Sequence, residues 1–377
     1  MGGNADMTSY RETSEILKLD YILSSLNDSD IICLVHHTDP DGVCSGALLA
    51  KSINQIRKRP IDLRLNQQSN EIELTSATVN SLKRAGADII FITDMASDQN
   101  PAPLLELAKT SRVILIDHHP RLNSFSDKNI TVIKAQEISS LPPPHYCTSK
   151  LVYDLFGRHT DLSLWDWICC IGIISDRSQK TWKEFLEQTF LKHKIPQTAD
   201  YTHSPLGILA NMISQTEAYS TNKTGEVFDA IMNSAQYTDL SDSAIKKYSS
   251  IVNKEISDQL DHHTKWCTIN QNKEYLIGEV SSPYHIKSNI TTLLGERYPH
   301  LTIIIYQKHS DDRYTLSIRR MDGRVQVNTA IIQSTSHLDN ISAGGHDTNA
   351  GATIPSEHIH QVIMNLKEHL ENLTLSH

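Results

Sequence analysis

Three short apolar runs, each ending in acidic or histidine residues, constrain this chain more than anything else in it. Ile31-Ile32-Cys33-Leu34-Val35 leads into His36-His37-Thr38-Asp39-Pro40-Asp41-Gly42, Ile89-Ile90-Phe91-Ile92-Thr93 into Asp94, and Val113-Ile114-Leu115-Ile116 into Asp117-His118-His119. Short apolar runs of this kind read as buried strands, and open α/β sheets gather ligands at the carboxyl ends of such strands. Four aspartates and up to four histidines then converge on one crevice. Carboxylates so crowded cannot all stay ionised without a compensating cation. Oxygen donors mixed with imidazole nitrogens suit Mn²⁺, Mg²⁺ or Zn²⁺, and a paired site fits phosphoryl chemistry. The pattern predicts a two-metal hydrolase.

The rest of the chain sorts into three stretches. Up to about residue 180, strand-like runs alternate with amphipathic helices (Ser45 to Ile56, Asn80 to Ala85, Pro103 to Lys109), which predicts a parallel α/β domain. Within it, Leu164 to Ile174 reads as a strongly apolar core helix that delivers Asp176 at its end. Residues 181–265 are richer in polar helix formers and read as a helical connector. From 266 to 377, strand-like runs at Tyr275, Leu301 and Tyr314 alternate with helical stretches after Ile286, Val325 and Ile359, which predicts a second, smaller α/β domain. The boundaries expected are therefore 10–180, 181–265 and 266–377.

Each candidate has a plainer reading beside it. Asp39-Pro40-Asp41-Gly42 is ordinary turn chemistry, but the upstream histidine favours metal binding. His37, closer in spacing to Asp39, is the ligand candidate, with His36 supporting it. Asp94 follows a strand, where an acid can also cap the next helix, and Ser97 and Asp98 are rival caps. Asp117-His118-His119, closed by Pro120, is hard to explain by packing. A second copy, Asp261-His262-His263, follows a solvent-patterned helix, where histidines near a C-terminus need no further role. In the second domain, Gly344-Gly345-His346 lets backbone amides approach a phosphate, and Arg319 and Arg320 follow a strand where a guanidinium fork or a solvated basic loop fits equally.

Taken together, these segments resemble the DHH phosphoesterase superfamily. The resemblance rests on His37-Thr38-Asp39-Pro40-Asp41-Gly42, Asp94, Asp117-His118-His119, Asp176 in Gly172-Ile173-Ile174-Ser175-Asp176, and Gly344-Gly345-His346, in that order. The His-x-Asp-x-Asp-Gly form is most similar to RecJ-type nucleases, especially archaeal RecJ-like proteins. Thr148-Ser149-Lys150-Leu151-Val152-Tyr153 resembles a helix start of the nuclease and nanoRNase branches. The resemblance implies a parallel-sheet N-terminal DHH domain, a helical connector and a smaller α/β DHH-associated domain. It implies two Mn²⁺ ions, with Mg²⁺ or Co²⁺ as substitutes. His37 and Asp39 would hold one ion and Asp41, His118 and Asp176 the other, with Asp94 bridging. Asp94 and His119 would be catalytic, and Arg319, Gly344, Gly345 and His346 would grip substrate phosphate in a cleft between the domains.

What the resemblance implies about activity is a metal-dependent exonuclease on single-stranded DNA or RNA, or on short oligonucleotides, through a hydroxide activated between two metals. A nanoRNase, pAp phosphatase or linear or cyclic dinucleotide phosphodiesterase would share every ligand. An inactive replication scaffold, which typically loses ligands, is disfavoured because all are present. The formal net charge of −9 argues against a grip on long polyanions and favours short substrates or contact with a strand end only. Bacterial RecJ carries an oligonucleotide-binding domain for which this chain shows no obvious room. The polar first six residues, the six cysteines without zinc spacing and the lack of any long apolar run predict a cytoplasmic protein with no membrane contact. A homodimer or a replication or repair partner is compatible with this reading.

Overall fold

The computed structural model describes residues 11–66, 74–309 and 312–374. Residues 1–6, the expected domain start at residue 10 and the last three residues of the polar tail lie outside the described residues. The chain divides into two compact units, Met1–Ser249 and Ser250–His377.

The first unit carries β1 (Ile32–His36), β2 (Leu63–Asn66), β3 (Ile89–Thr93), β4 (Arg112–Asp117) and β5 (Ile130–Lys134) in one all-parallel sheet of order β2-β1-β3-β4-β5. Its helices are α1 (Ser14–Ser24), α2 (Pro40–Arg57), α3 (Ser76–Ala85), α4 (Pro101–Leu107), α5 (Ala135–Ile138), α6 (Thr148–Phe156), α7 (Asp166–Ser175), α8 (Lys183–Lys192), α9 (Pro205–Tyr219), α10 (Thr224–Asn233) and α11 (Tyr237–Ser241), and α12 (Ile245–Asp261) runs across the boundary. The apolar runs are continuous because both faces are covered, and alternate residues point to opposite sides. Ile32, Leu34, Phe91, Ile114 and Ile116 face a core shared with α1, α2, α6 and α7. Cys33, Val35, Ile90, Ile92 and Leu115 face the core under α3 and α4. Two of the strands, β2 and β5, were not foreseen in the sequence.

Most of the stretch expected to be a connector packs into the first unit. Ile213, Val227, Phe228, Ile231 and Leu240 share a core with Trp167 and Ile171 of α7. Their helical spacing gives each helix one apolar face, and that face is buried against the sheet-covering helices and not left to bridge two domains.

The second unit is a mixed sheet of order β10-β11-β9-β8-β7-β6, comprising β6 (Cys267–Asn270), β7 (Tyr275–Glu279), β8 (Thr302–Lys308), β9 (Arg313–Arg319), β10 (Ser342–His346) and β11 (Asn349–Pro355). Among the described residues of this sheet only β7 and β8 pair in parallel, and α13 (Lys287–Arg297) supplies their crossover. Helices α14 (Val327–Thr335) and α15 (Ile359–Thr374) bury Val327, Ile331, Val362 and Leu366 against Ile304, Leu316 and Ile318. No helix among the described residues is long and apolar enough to cross a membrane.

Candidate metal centre

The parallel order reverses direction at β1, and the crevice beyond the carboxyl ends of β1 and β3 is where such sheets leave room for a ligand. Register fills that crevice. His36, Thr93 and Ile116 are paired neighbours across β1, β3 and β4, so the residues one step further, His37, Asp94 and Asp117, stand together at the rim. Two backbone bonds continue the ladder there: His37 N donates to Thr93 O (3.2 Å) and Asp94 N to Ile116 O (3.0 Å). Asp94 adopts a left-handed backbone (φ 61°), a region aspartate tolerates better than most residues and one that concentrates at functional positions.

Three overlapping groups result: His37, Asp39 and Asp94; Asp41, His118 and Asp176; and Asp94, Asp117, His118 and His119. Within each group, one ligand-type atom per residue lies within 4.8 Å of the others. Asp94 is shared between the first and third, and His118 between the second and third. His37 Nδ1 stands 3.1 Å from Asp39 and 3.9 Å from Asp94. His118 Nε2 stands 3.6 Å from Asp94 and 3.5 Å from Asp176. Every residue expected from sequence to hold a cation is therefore brought into one cluster.

Local structure fixes each carboxylate. Asp39 caps α2, accepting from Gly42 N at 2.8 Å. Gly42 is required there: a Cβ would fall 2.4 Å from the Cβ of His37 and 2.7 Å from its carbonyl. Asp41, in the first turn of α2, faces the start of α6, where its Oδ2 accepts from Thr148 N (2.7 Å) and its Oδ1 from Ser149 N (2.9 Å). Unpaired amides at a helix start suit an anion. Thr148 Oγ1 also donates to Asp94 Oδ1 at 2.8 Å, so one helix terminus orients two candidate ligands. His36 is wholly buried, held by His37 O at 2.7 Å and stacked on Phe228, and burial lowers its pKa to about 3. It is a neutral support, as expected.

The electrostatics suit a cation. Burial first, and then the charges of Asp39 and Asp41, push the Asp94 carboxyl well above its usual range. Burial followed by Asp41 and Asp94 does the same to Asp176, and burial also raises Asp41. Burial would lower His37, but Asp39 and Asp94 overcome it and push it up to about 10. Among the described ion-pair partners, Asp94 and Asp176 meet only imidazoles. Buried oxygens and ring nitrogens of this kind fit divalent Mn²⁺ or Mg²⁺.

Asp117 behaves differently. Its Oδ1 lies 2.7 Å from His119 Nδ1 and its Oδ2 accepts from Lys134 Nζ at 2.6 Å; Lys134 also donates to Asp98 Oδ1 at 2.7 Å. Burial works against ionisation of Asp117, yet His119 and Lys134 hold its pKa low, and Asp117 in turn raises His119 against the effect of burial. Sequence reasoning missed Lys134 and gave Asp98 only a capping role. The signal was present: Lys134 ends the apolar run Ile130-Thr131-Val132-Ile133 just as the acids end theirs. It also missed Glu217 of α9, which accepts from Thr38 Oγ1 at 2.6 Å beside His37.

The second Asp-His-His copy stands in the second unit. There His262 Nδ1 lies 2.8 Å from Asp258 O and His263 Nδ1 2.7 Å from Leu260 O, local contacts at the end of α12. In the same unit, Gly344, Gly345 and His346 lie on β10 and not in a free turn, with Gly345 at φ 147° because a Cβ would meet Ala350 Cα at 2.5 Å. His346 pairs with Asn349 and Asn349 with Arg319, so three strands present His346, Asn349 and Arg319 in one row. Arg320 is buried and bound to Glu274 and Asp322, which excludes it from a solvated basic loop.

A parallel sheet whose carboxyl rim gathers aspartates and histidines around shared members defines the class: an α/β scaffold with a candidate metal centre at its switch point. Residues 31–173 match the DHH family, N-terminal domain. Among solved structures, a DHH-domain protein described as a member of a family of ribosomal proteins aligns at TM-score 0.72 and 15% identity, over 95% of this chain and 90% of that one. RecJ from Thermus thermophilus in complex with Mn²⁺ aligns at 0.70 and 12% identity, over 98% of this chain but 56% of that one. An exonuclease RecJ bound to manganese aligns at 0.67 and 13% identity, over 96% and 95%. No curated protein matches in sequence. The match to the DHH family thus covers the part of the chain that carries β1 to α7, and the fold as a whole is RecJ-like.

Proposed function

We propose that this chain is a Mn²⁺-dependent phosphodiesterase that hydrolyses single-stranded nucleic acid from an end, with a preference for short strands. The observation that carries this reading is the overlap of three ligand groups through Asp94 and His118, which matches a pair of adjacent cations better than a single one. His37 and Asp39 would hold one ion, Asp41, His118 and Asp176 the other, and Asp94 would be common to both. When bound, the ions would supply Lewis acidity and neutralise charge at the scissile phosphate. The chain's own groups set the geometry. Gly42, Thr148 and Ser149 fix the carboxylates, and Asp117 holds His119 by Nδ1 and raises its pKa, so that Nε2 can donate to a phosphate oxygen when the ring is protonated. Arg319, Gly344, Gly345 and His346 are proposed to bind substrate phosphate, so His346→Ala should raise KM by roughly tenfold with kcat little changed, since a lost charge-assisted bond is worth about 1.5 kcal/mol or more.

The net charge of −9 supports the short-strand preference, because a long polyanion would be repelled outside the immediate site. The test is hydrolysis with Mn²⁺ of end-labelled RNA and DNA from two to about thirty nucleotides, beyond the ~4–16-nucleotide footprint of single-strand binding folds, run beside pAp. Shortening of the longer strands from one end supports the exonuclease. Cleavage confined to dinucleotides or pAp replaces it with a nucleotide-recycling phosphodiesterase.

A further inference from the structure

We propose that Lys134 is a positioning residue for the hydrolytic site: its ammonium keeps Asp117 off the metal ligands and on His119. The inference rests on the hydrolase reading above and assigns a role that neither the fold nor the ligand pattern supplies. Asp117 has an oxygen within 4.8 Å of donor atoms on Asp94, His118 and His119, so position alone would let it join the cation cluster. Both of its oxygens are instead engaged, Oδ2 by Lys134 at 2.6 Å and Oδ1 by His119 at 2.7 Å.

The pair is built into the sheet. Asp117 and Lys134 are direct partners across β4 and β5, so their side chains leave the same face. The side chains of Lys134, Asp98 and Asp117 have no solvent exposure. A buried ammonium requires anionic partners, and here it has two, which leaves the trio one negative charge in excess. That excess is met at its two ends. Asp98 Oδ2 accepts from Leu122 N at 2.9 Å, and Asp117 Oδ1 is left for the ring of His119. A buried ion pair is weak evidence of stability, since apolar replacements of similar shape are often neutral. Its effect here is directional: with Oδ2 held by Lys134, Asp117 has one oxygen to offer, and the imidazole takes it through Nδ1.

The experiment compares Lys134→Met with the wild-type chain in its Mg²⁺ form by ¹H–¹⁵N spectroscopy of the histidines, and by turnover of a labelled dinucleotide with Mn²⁺. The wild type is expected to show a hydrogen-bonded Nδ1–H proton that His119→Gln removes. Lys134→Met should lose that signal and about 10–100-fold in kcat, the usual effect of removing an outer partner of a metal site, with KM within about twofold. The double variant should be no slower than His119→Gln alone, because the two changes act through one imidazole. If Lys134→Met does not fold, Asp98→Asn, which keeps shape but removes one of the ammonium's anions, should weaken the same signal. A folded variant that keeps the Nδ1–H signal and its kcat, or additive losses in the double variant, overturns the proposal. The spectroscopic signal needs no turnover, so a wild type that hydrolyses nothing sinks the hydrolase reading while the positioning of His119 is still read directly.

Discussion

Asp94 concentrates the demands placed on single residues. It directly follows a buried strand, its backbone is left-handed, and its side chain is only 2% exposed. It contacts candidate ligands on both sides, with His37 at 3.9 Å and His118 at 3.6 Å. Asp94→Ala should therefore reduce hydrolysis by more than about 100-fold and abolish tight Mn²⁺ binding while unfolding stays cooperative, checked by calorimetric titration beside thermal melts. Asp261→Ala, in the helix-end copy, should change neither, and lost activity there would reverse the choice between the two copies. Gly172 is the second sensitive position. A Cβ there would lie 2.3 Å from Ser149 Oγ and 2.5 Å from Asp41 Oδ1. Because both contacts belong to the hydrogen-bonded seat of Asp41, Gly172→Ala should cost about 1–3 kcal/mol of stability, measured by denaturant titration, and weaken Mn²⁺ binding with it.

Among elements, the start of α6 matters most to the site. It presents two amides to Asp41 and one hydroxyl to Asp94, and the helix dipole favours the carboxylates it faces. Thr148→Val keeps the shape and removes only the 2.8 Å bond to Asp94. It should weaken Mn²⁺ binding about 10–100-fold with a stability loss near 1 kcal/mol, and an unchanged affinity would remove Thr148 from the site. The strands that carry the acids were legible because burial on both faces makes their sequences continuously apolar, and a charged residue at the end then stands out. β2 was not, since Leu63-Arg64-Leu65-Asn66 is a half-buried edge strand with alternating polarity. Lys134 was invisible as a partner because the pairing that joins it to Asp117 spans a loop whose length sets no register. The strand at Gly344-Gly345 was hidden for a similar reason: glycine pairs leave the backbone conformation open, and only the fold shows that Gly345 permits a close strand contact with Ala350.

For the whole molecule, the question is what the crowded carboxylates do when no cation neutralises them. Asp94, Asp176 and Asp41 have pKa values raised above the unfolded reference of 3.8, so the metal-free native state binds more protons than the unfolded chain above that pH. Stability without metal must then fall as pH rises through those raised values. His37 acts in the same direction: its contribution is full below 6.5 and is lost as pH climbs through about 10. Asp39 and Asp117, held low by their partners, contribute stability that is lost only on acidification below 3.8, so they add no slope near neutrality. Cations reverse the first effect by replacing the protons, and they bind better as those protons leave. At a hundredfold excess over Kd, a bound ion adds about 2.7 kcal/mol, or roughly 5–10 °C in Tm for a unit of this size. The gap in Tm between Mn²⁺-loaded and EDTA-treated protein should accordingly widen from about pH 5 to about pH 8, with the metal-free curve falling. A gap that is constant or narrows over that range would mean that the carboxylates are neutralised within the chain itself, and that the cluster is a structural network and not a metal centre.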